Sequence, residues 1–414
     1  MRLQRTIMHS FTNTLAIALK TDSVDKITSA KTDNVPTKIK LSFQAIVDPS
    51  IILGLKEEID DFVNKWSKNP FLLSGFIIQS MKSNRVKGWT PIVLIIKTDG
   101  KIVGMAPLIM KKRLGIRFAN FLLLDSWSPD LVFDNRYQEA CMGAILEYLF
   151  KNLNCRFVSF NLPFESSNLK TIEQQCKPRG IGFSTETYDA QSIIPVESSW
   201  DEFLKKKSRR RIIRQIERKM DEIGSWRIEC IEKVSNRPDV LKKLLDVESM
   251  SWKAGEPWVF NLTKEELLMT WEGLQIMTGS KTDLKGSVWF LEINCETVAY
   301  TYAIKYKGTA FILKISYDER YKKSYVGKYI NNIAIRDMFN EGQIKTINFM
   351  SEFPFMTFWT SSSLKHAGVS MWNFGKLVKS LQSNTAMLRI LRTVVVNLPS
   401  EQKRLLDTLY PTQK

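Results

Sequence analysis

The residues best placed to do chemistry lie between Thr309 and Arg336, TAFILKISYDERYKKSYVGKYINNIAIR. Phe311, Leu313, Ile315 and Tyr317 fall on alternate positions, which predicts a strand carrying all four on one face. From Gly327 the period changes. Ile330, Ile333, Ala334 and Met338 recur at helical steps, so a helix begins with its free N–H groups at Val326, Gly327, Lys328 and Tyr329. Those donors, together with the positive end of the helix dipole, favour a phosphate or pyrophosphate, and Gly327 would let it approach the backbone. A phosphate-bearing cofactor is the chemistry this implies. An ordinary helix start has the same signature, so the flanking elements must decide.

Those elements form an ordered series. Val288–Asn294 and Thr297–Lys307 read as strands joined through Asn294, Cys295 and Glu296, and Lys307-Gly308 turns the chain into the strand at Thr309. After the helix, Thr346–Met350 reads as a further strand. The same order occurs roughly 190 residues earlier, as a repeat of architecture rather than identity. There, Pro91–Lys97 and Lys101–Met110 flank the turn Asp99-Gly100, and Arg117–Leu124 is a third strand. A loop with Trp127, Pro129 and Asp130 follows, then a helix over Tyr137–Leu153 and a strand at Phe157–Leu162. The first copy has Asn135, Arg136 and Tyr137 at its helix start and no glycine. The expected fold is therefore α/β with mixed sheets in two tandem units, of which the second is equipped to hold phosphates. The boundaries are a polar leader at 1–40, units at 41–195 and 196–376, and a helical tail at 377–414.

Composition narrows the function classes. A chain of 414 residues, 44% hydrophobic, suits two cores of ordinary size. No apolar run approaches the roughly 18 residues of a membrane span. Five cysteines without a Cys-x-x-Cys pair point to a reducing, cytoplasmic setting and away from a zinc ribbon. With two histidines, His9 and His366, neither a His-rich metal site nor a histidine triad is expected, and His366 is placed at a helix C-terminus. The net charge of +17 is concentrated between Lys205 and Lys219. There Lys207, Arg211, Arg214 and Arg218 share a helix face, and Ile212, Ile213, Ile216 and Met220 form an apolar stripe. A solvated face, a patch for an acidic substrate or cofactor phosphate, and a nucleic-acid contact all fit that pattern. The tail from Thr385 carries apolar residues at helical spacing, which suits packing on the second unit.

The second half resembles the CelD/BcsL branch of the GNAT superfamily of N-acyltransferases, which is itself similar to the tandem-domain Fem-type aminoacyltransferases. The similarity runs through SRRRIIRQIERKMDEIG, VESMSWKAG (247–255) and YDERYKKSYVGKYI (317–330), and in the first half through FLLSGFIIQSM and DGKIVGMAPLIMKK. The resemblance implies two tandem GNAT-like domains and acyl transfer from acetyl-CoA or another acyl-CoA to a small-molecule amine, an amino sugar or a cell-envelope precursor. It places the cofactor at Ile315, Tyr317, Val326, Gly327, Lys328 and Tyr329, and implies no metal. By position within the matched segments, Glu248 and Asp318 are the candidate bases, although each is equally read as a capping or ion-paired carboxylate. Arg211, Arg214 and Trp252 are candidates for substrate contact.

One departure stands out. Where the branch carries a Tyr-Lys pair before a tryptophan, this chain reads MSEFPFMTFW and has Phe355 and Met356. A phenyl ring cannot protonate a leaving thiolate, so another hydroxyl, Tyr325 or Tyr329, would have to serve, or acyl transfer is redirected or lost. Two alternatives therefore stand beside the acyltransferase: a Fem-like enzyme drawing its aminoacyl group from charged tRNA, and a non-catalytic binding protein.

Overall fold

The computed structural model describes residues 40–373, apart from 84–85, 114–115, 124–126, 206, 235, 280 and 353. The tail and nearly all of the leader lie outside the described residues. Among the described residues there are thirteen strands: β1 Ser42–Ile46, β2 Thr90–Thr98, β3 Lys101–Arg113, β4 Ile116–Phe121, β5 Val132–Phe133, β6 Cys155–Pro163, β7 Gly182–Pro195, β8 Trp226–Glu232, β9 Lys285–Ile293, β10 Glu296–Tyr306, β11 Thr309–Tyr317, β12 Thr346–Asn348 and β13 Ser363–Trp372. The helices are α1 Pro49–Gly54, α2 Lys56–Trp66, α3 Ser74–Lys82, α4 Gln138–Glu147, α5 Ser167–Cys176, α6 Trp200–Phe203, α7 Lys207–Asp221, α8 Pro238–Met250, α9 Pro257–Met277 and α10 Val326–Asn340.

Local rules explain the hairpins. Asp99-Gly100, Asn294-Cys295 and Lys307-Gly308 all have positive φ at both positions, as two-residue turns between twisted antiparallel strands require. The strands join in one mixed sheet ordered β1-β2-β3-β4-β6-β13-β7-β12-β11-β10-β9-β8, with β5 on β3. Each half is antiparallel except at one step, where β4 runs parallel to β6 and β11 to β12. β7 belongs to both halves. Its residues Gly182–Ser192 pair with β13, and Ile193–Pro195 pair with β12.

The two units are thus interlocked rather than strung in series. β13, the last strand of the second unit in sequence, lies between β6 and β7 of the first, and so places His366 in a strand. The expected helix terminus at His366 is therefore corrected: the residue is 1% exposed, and its Nε2 lies 3.2 Å from the Ser128 hydroxyl. The Lys-His-Ala-Gly stretch gave no clue to this, because pairing partners more than 170 residues away decide it.

The basic run also divides differently from expectation. Ser199 caps only the short α6, and a separate α7 carries Ile213, Ile216 and Met220 inward. Three apolar cores result. One lies under the first unit's α4 and α5, one under the second unit's α7 and α10, and a shared core on the opposite sheet face joins α2 and α3 to α8 and α9. In that shared core α3 and α9 meet at Gly75 and Gly273, where a Cβ on Gly75 would stand 2.4 Å from the Gly273 carbonyl oxygen. The close approach packs a helix of the first unit directly against one of the second.

Candidate functional site

The cavity originates in a strand that loses its neighbour. β11 pairs with β12 only from Thr309↔Thr346 to Phe311↔Asn348. On its other edge Tyr302 faces Lys314 and Ala303 faces Ile312, so Leu313 is an extra residue, a β-bulge. The bulge reverses the alternation. Phe311 and Leu313 pack in the shared core, whereas Ile315 and Tyr317 pack on the α10 side, so the four residues do not share one face as their spacing predicts. Beyond the bulge, Lys314 and Ser316 instead reach residues of α9 and of the turn after α8. Where β11 and β12 part, a cavity of about 770 Å³ passes through the sheet, lined on one side by Gly327 and Lys328 and on the other by Lys253 and Glu266. That volume is typical of a small-ligand site.

On the α10 side the helix start is left open. Tyr325 adopts a left-handed conformation (φ 59°) that turns the chain into α10, and no side chain caps the helix. The Tyr329 N–H already donates to the Tyr325 carbonyl oxygen (2.9 Å), so the donors at this end are those of Val326, Gly327 and Lys328. Tyr329 itself is buried against Trp226, with ring centroids 5.3 Å apart. Gly327 has a reason unforeseen in the sequence: a Cβ there would lie 2.5 Å from Cδ1 of Tyr317, whose ring rests on the bare backbone. Tyr325 and exposed Lys328 flank the opening, the Lys328 ammonium 5.1 Å from the Tyr325 ring centroid. An uncapped helix start beside a strand edge without a partner fits a ligand that carries an anionic group and an amide.

The opposite side holds buried charge. Glu248, at the end of α8, is 0% exposed; its carboxylate accepts from Lys253 Nζ at 3.1 Å on each oxygen and from the Tyr300 hydroxyl at 2.5 Å. Burial and the neighbouring Glu248 charge push the Tyr300 pKa well up, which keeps it a donor. Lys253 lines the cavity and also lies 3.4 Å from the Ser316 hydroxyl. Burial lowers its pKa, the Glu248 charge opposes that shift, and Lys314 adds to it. Lys314 and Glu266 form a second ion pair on the cavity wall, at 2.6 Å. Trp252 lies at the mouth, 52% exposed, while Trp127 closes the wall from the first unit, stacked on Phe71 at 4.6 Å.

Other candidates stand apart from the cavity. Asp318 is 1% exposed and caps the 3₁₀ turn Glu319–Ser324, accepting from the Arg320 backbone N–H (2.9 Å) and pairing with its guanidinium. Arg211 and Arg214 are exposed on α7 and do not line the cavity. Met356, one of the pair replacing Tyr-Lys, is buried in the cavity wall. Sequence reasoning passed over Arg209, which donates to the carbonyls of Phe203 (3.1 Å), Phe358 (3.4 Å) and Trp359 (2.6 Å) and so fixes the far wall. It passed over Lys253 too, although that lysine lies five residues beyond Glu248 in a matched segment. Among the described residues no cluster of three His, Cys, Asp or Glu could hold a metal, and no helix is long and apolar enough to cross a membrane.

Comparison with known proteins agrees with this architecture. Residues 207–352 match the family described as "Acetyltransferase (GNAT) domain", so the second unit is a GNAT-type acetyltransferase domain. Among solved structures, a conserved protein of unknown function from Bacteroides thetaiotaomicron is similar over 78% of this chain and 97% of its own, at 13% identity and a TM-score of 0.52. FemX is similar over 82% of this chain and 99% of its own, at 11% identity and a TM-score of 0.50. A tandem GNAT protein from the clavulanic acid biosynthesis pathway is similar over 81% of this chain and 99% of its own, at 10% identity and a TM-score of 0.43. At such identities the likeness is one of fold. A search of curated proteins gives no match.

Proposed function

We propose that the protein is a cytoplasmic N-acyltransferase of the CelD/BcsL type that moves an acyl group from an acyl-CoA to the amine of a small molecule. The observation that carries this reading is the cavity passing through the sheet, which opens at a helix start without a side-chain cap on one side and at buried charge on the other. The pyrophosphate would lie on the N–H groups of Val326, Gly327 and Lys328, beside Ile315 and Tyr317. The thioester supplies an activated carbonyl where the strands part. The acceptor would enter on the side of Trp252, Lys253 and Glu266. Glu248 would act from behind Lys253, and Asp318 by fixing the turn before Tyr325, an exposed residue whose hydroxyl would serve the leaving thiolate.

Calorimetric titration with acetyl-CoA and CoA tests the reading. Glutamate at Gly327 would also displace Tyr317, so the cleaner variant is Lys328→Glu, at an exposed position. Micromolar binding weakened at least about tenfold, or about 1.4 kcal/mol, by Lys328→Glu is expected. No binding by the wild type would refute the proposal.

A second reading has its own support. α7 presents Arg210, Arg211, Arg214 and Arg218 to solvent, a surface suited to the phosphates of a charged tRNA donor. Turnover that requires aminoacyl-tRNA, with binding that falls steeply as salt rises, would favour it.

A further inference from the structure

Glu248 draws attention by its place in the sequence, yet it cannot meet an acceptor. It is wholly buried, Lys253 and Tyr300 occupy its oxygens, and it forms no part of the cavity wall. Lys253 does line that wall. It sits on the 3₁₀ turn Trp252–Gly255, its side chain 11% exposed, on the side of the sheet away from the α10 start. The groups facing it are Glu248 from α8, Tyr300 through Glu248 from β10, Ser316 and Lys314 from β11, and Glu266 from α9.

We propose that Lys253 takes the proton released by the acceptor amine, with Glu248 and Tyr300 as positioning residues behind it. The inference rests on the acyl-transfer reading. In the reaction, neutral Lys253 takes one proton from the acceptor ammonium, and the freed nitrogen lone pair forms a C–N bond to the thioester carbonyl carbon. The C–S bond breaks with its electron pair on sulfur, and the second nitrogen proton leaves with the thiolate as thiol. The new Lys253 ammonium is held by Glu248, and its proton returns to solvent through the mouth beside Trp252. The environment suits the task. Burial and the Lys314 charge weaken proton binding at Lys253, while Glu248 receives the cation once formed.

The test uses the full chain and has two arms. Trace labelling with acetic anhydride over a pH series, read by mass spectrometry, compares Lys253 with the exposed Lys101. Lys253 should titrate at lower pH than Lys101, and lower still in Glu248→Gln, which removes the opposing charge. Thiol release from acetyl-CoA, with glucosamine and lysine amide as probe amines, forms the second arm. Lys253→Met and Lys253→Arg should fall together by about 10²–10⁴-fold while acetyl-CoA affinity is kept, because arginine does not deprotonate. Lys253 titrating with Lys101, or Lys253→Arg working at the wild-type rate, would overturn the proposal; the latter would make the residue a fixed positive charge. If neither probe amine is turned over, the labelling arm decides alone. Failure of the wild type to bind acetyl-CoA would sink the acyl-transfer reading instead, and leaves the titration to be judged separately.

Discussion

The two units solve the same topological problem and finish it differently. In each, a helix lies in the connection between two parallel strands, α4 between β4 and β6 and α10 between β11 and β12. In the first unit, β4 ends at Phe121, and β5 lays Val132 and Phe133 against β3 before α4 begins. Just ahead of α4, the buried Asp134 carboxylate accepts from the Arg136 backbone N–H (3.1 Å) and pairs with its guanidinium, so a protein carboxylate already stands near the helix start. In the second unit β11 runs on to Tyr317 past a bulge, a 3₁₀ turn intervenes, and α10 begins without a side-chain cap. Neither helix start carries a side-chain cap, so what differs is the setting: a carboxylate–arginine pair precedes α4, whereas a cavity opens at the start of α10.

A negative charge added at each of the two helix starts should separate them most sharply. Gly327→Glu is expected to cost about a hundredfold or more in acetyl-CoA affinity, about 2.7 kcal/mol, since it adds charge and displaces Tyr317. Gln138→Glu, at the start of α4, should leave that affinity unchanged. Equal losses by calorimetry would erase the distinction between the units.

A smaller effect is expected where the second unit holds its cavity wall. Arg209→Met removes three bonds to main-chain carbonyls and should lower stability by about 2–3 kcal/mol in denaturant titration. A change within about 0.5 kcal/mol would mean that the wall stands without it.

The smallest effect belongs to the first unit. Burial raises the pKa of Asp130 from its ordinary 3.8 to about 6, against opposing hydrogen bonds from Asn168 and the Leu131 backbone N–H. The folded state then holds the proton more tightly than the unfolded chain, so stability is greatest below about pH 4 with respect to this group and falls as pH rises to about 6. Asp130→Asn should remove that slope and raise the melting temperature by a few degrees, about 2–4 °C, at pH 8. An unchanged slope in thermal melts would show that Asp130 does not titrate with folding.

Periodicity and turn chemistry made most of this legible. The hairpins at Asp99-Gly100 and Lys307-Gly308, the strands around them and the glycine-start helix follow from rules acting over a few residues. The bulge at Leu313 was not legible, because strict alternation from Phe311 to Tyr317 looks the same with or without an unpaired residue. Nor was the strand at His366, or the turn that brings Lys253 between Glu248 and Ser316.

The sequence alone determined the strands around the Asp99-Gly100 and Lys307-Gly308 turns, the repeated order of strands and helix in two units, and the glycine at the second unit's helix start. Such choices depend on local sterics and on side-chain period. Only the tertiary structure decided that β13 completes the first unit's sheet, that Tyr317 is the neighbour requiring Gly327, and that Lys253 rather than Glu248 faces the cavity. Those outcomes depend on which distant residues share a packed interior, where each side chain's exposure and charge are set by neighbours far away in the chain.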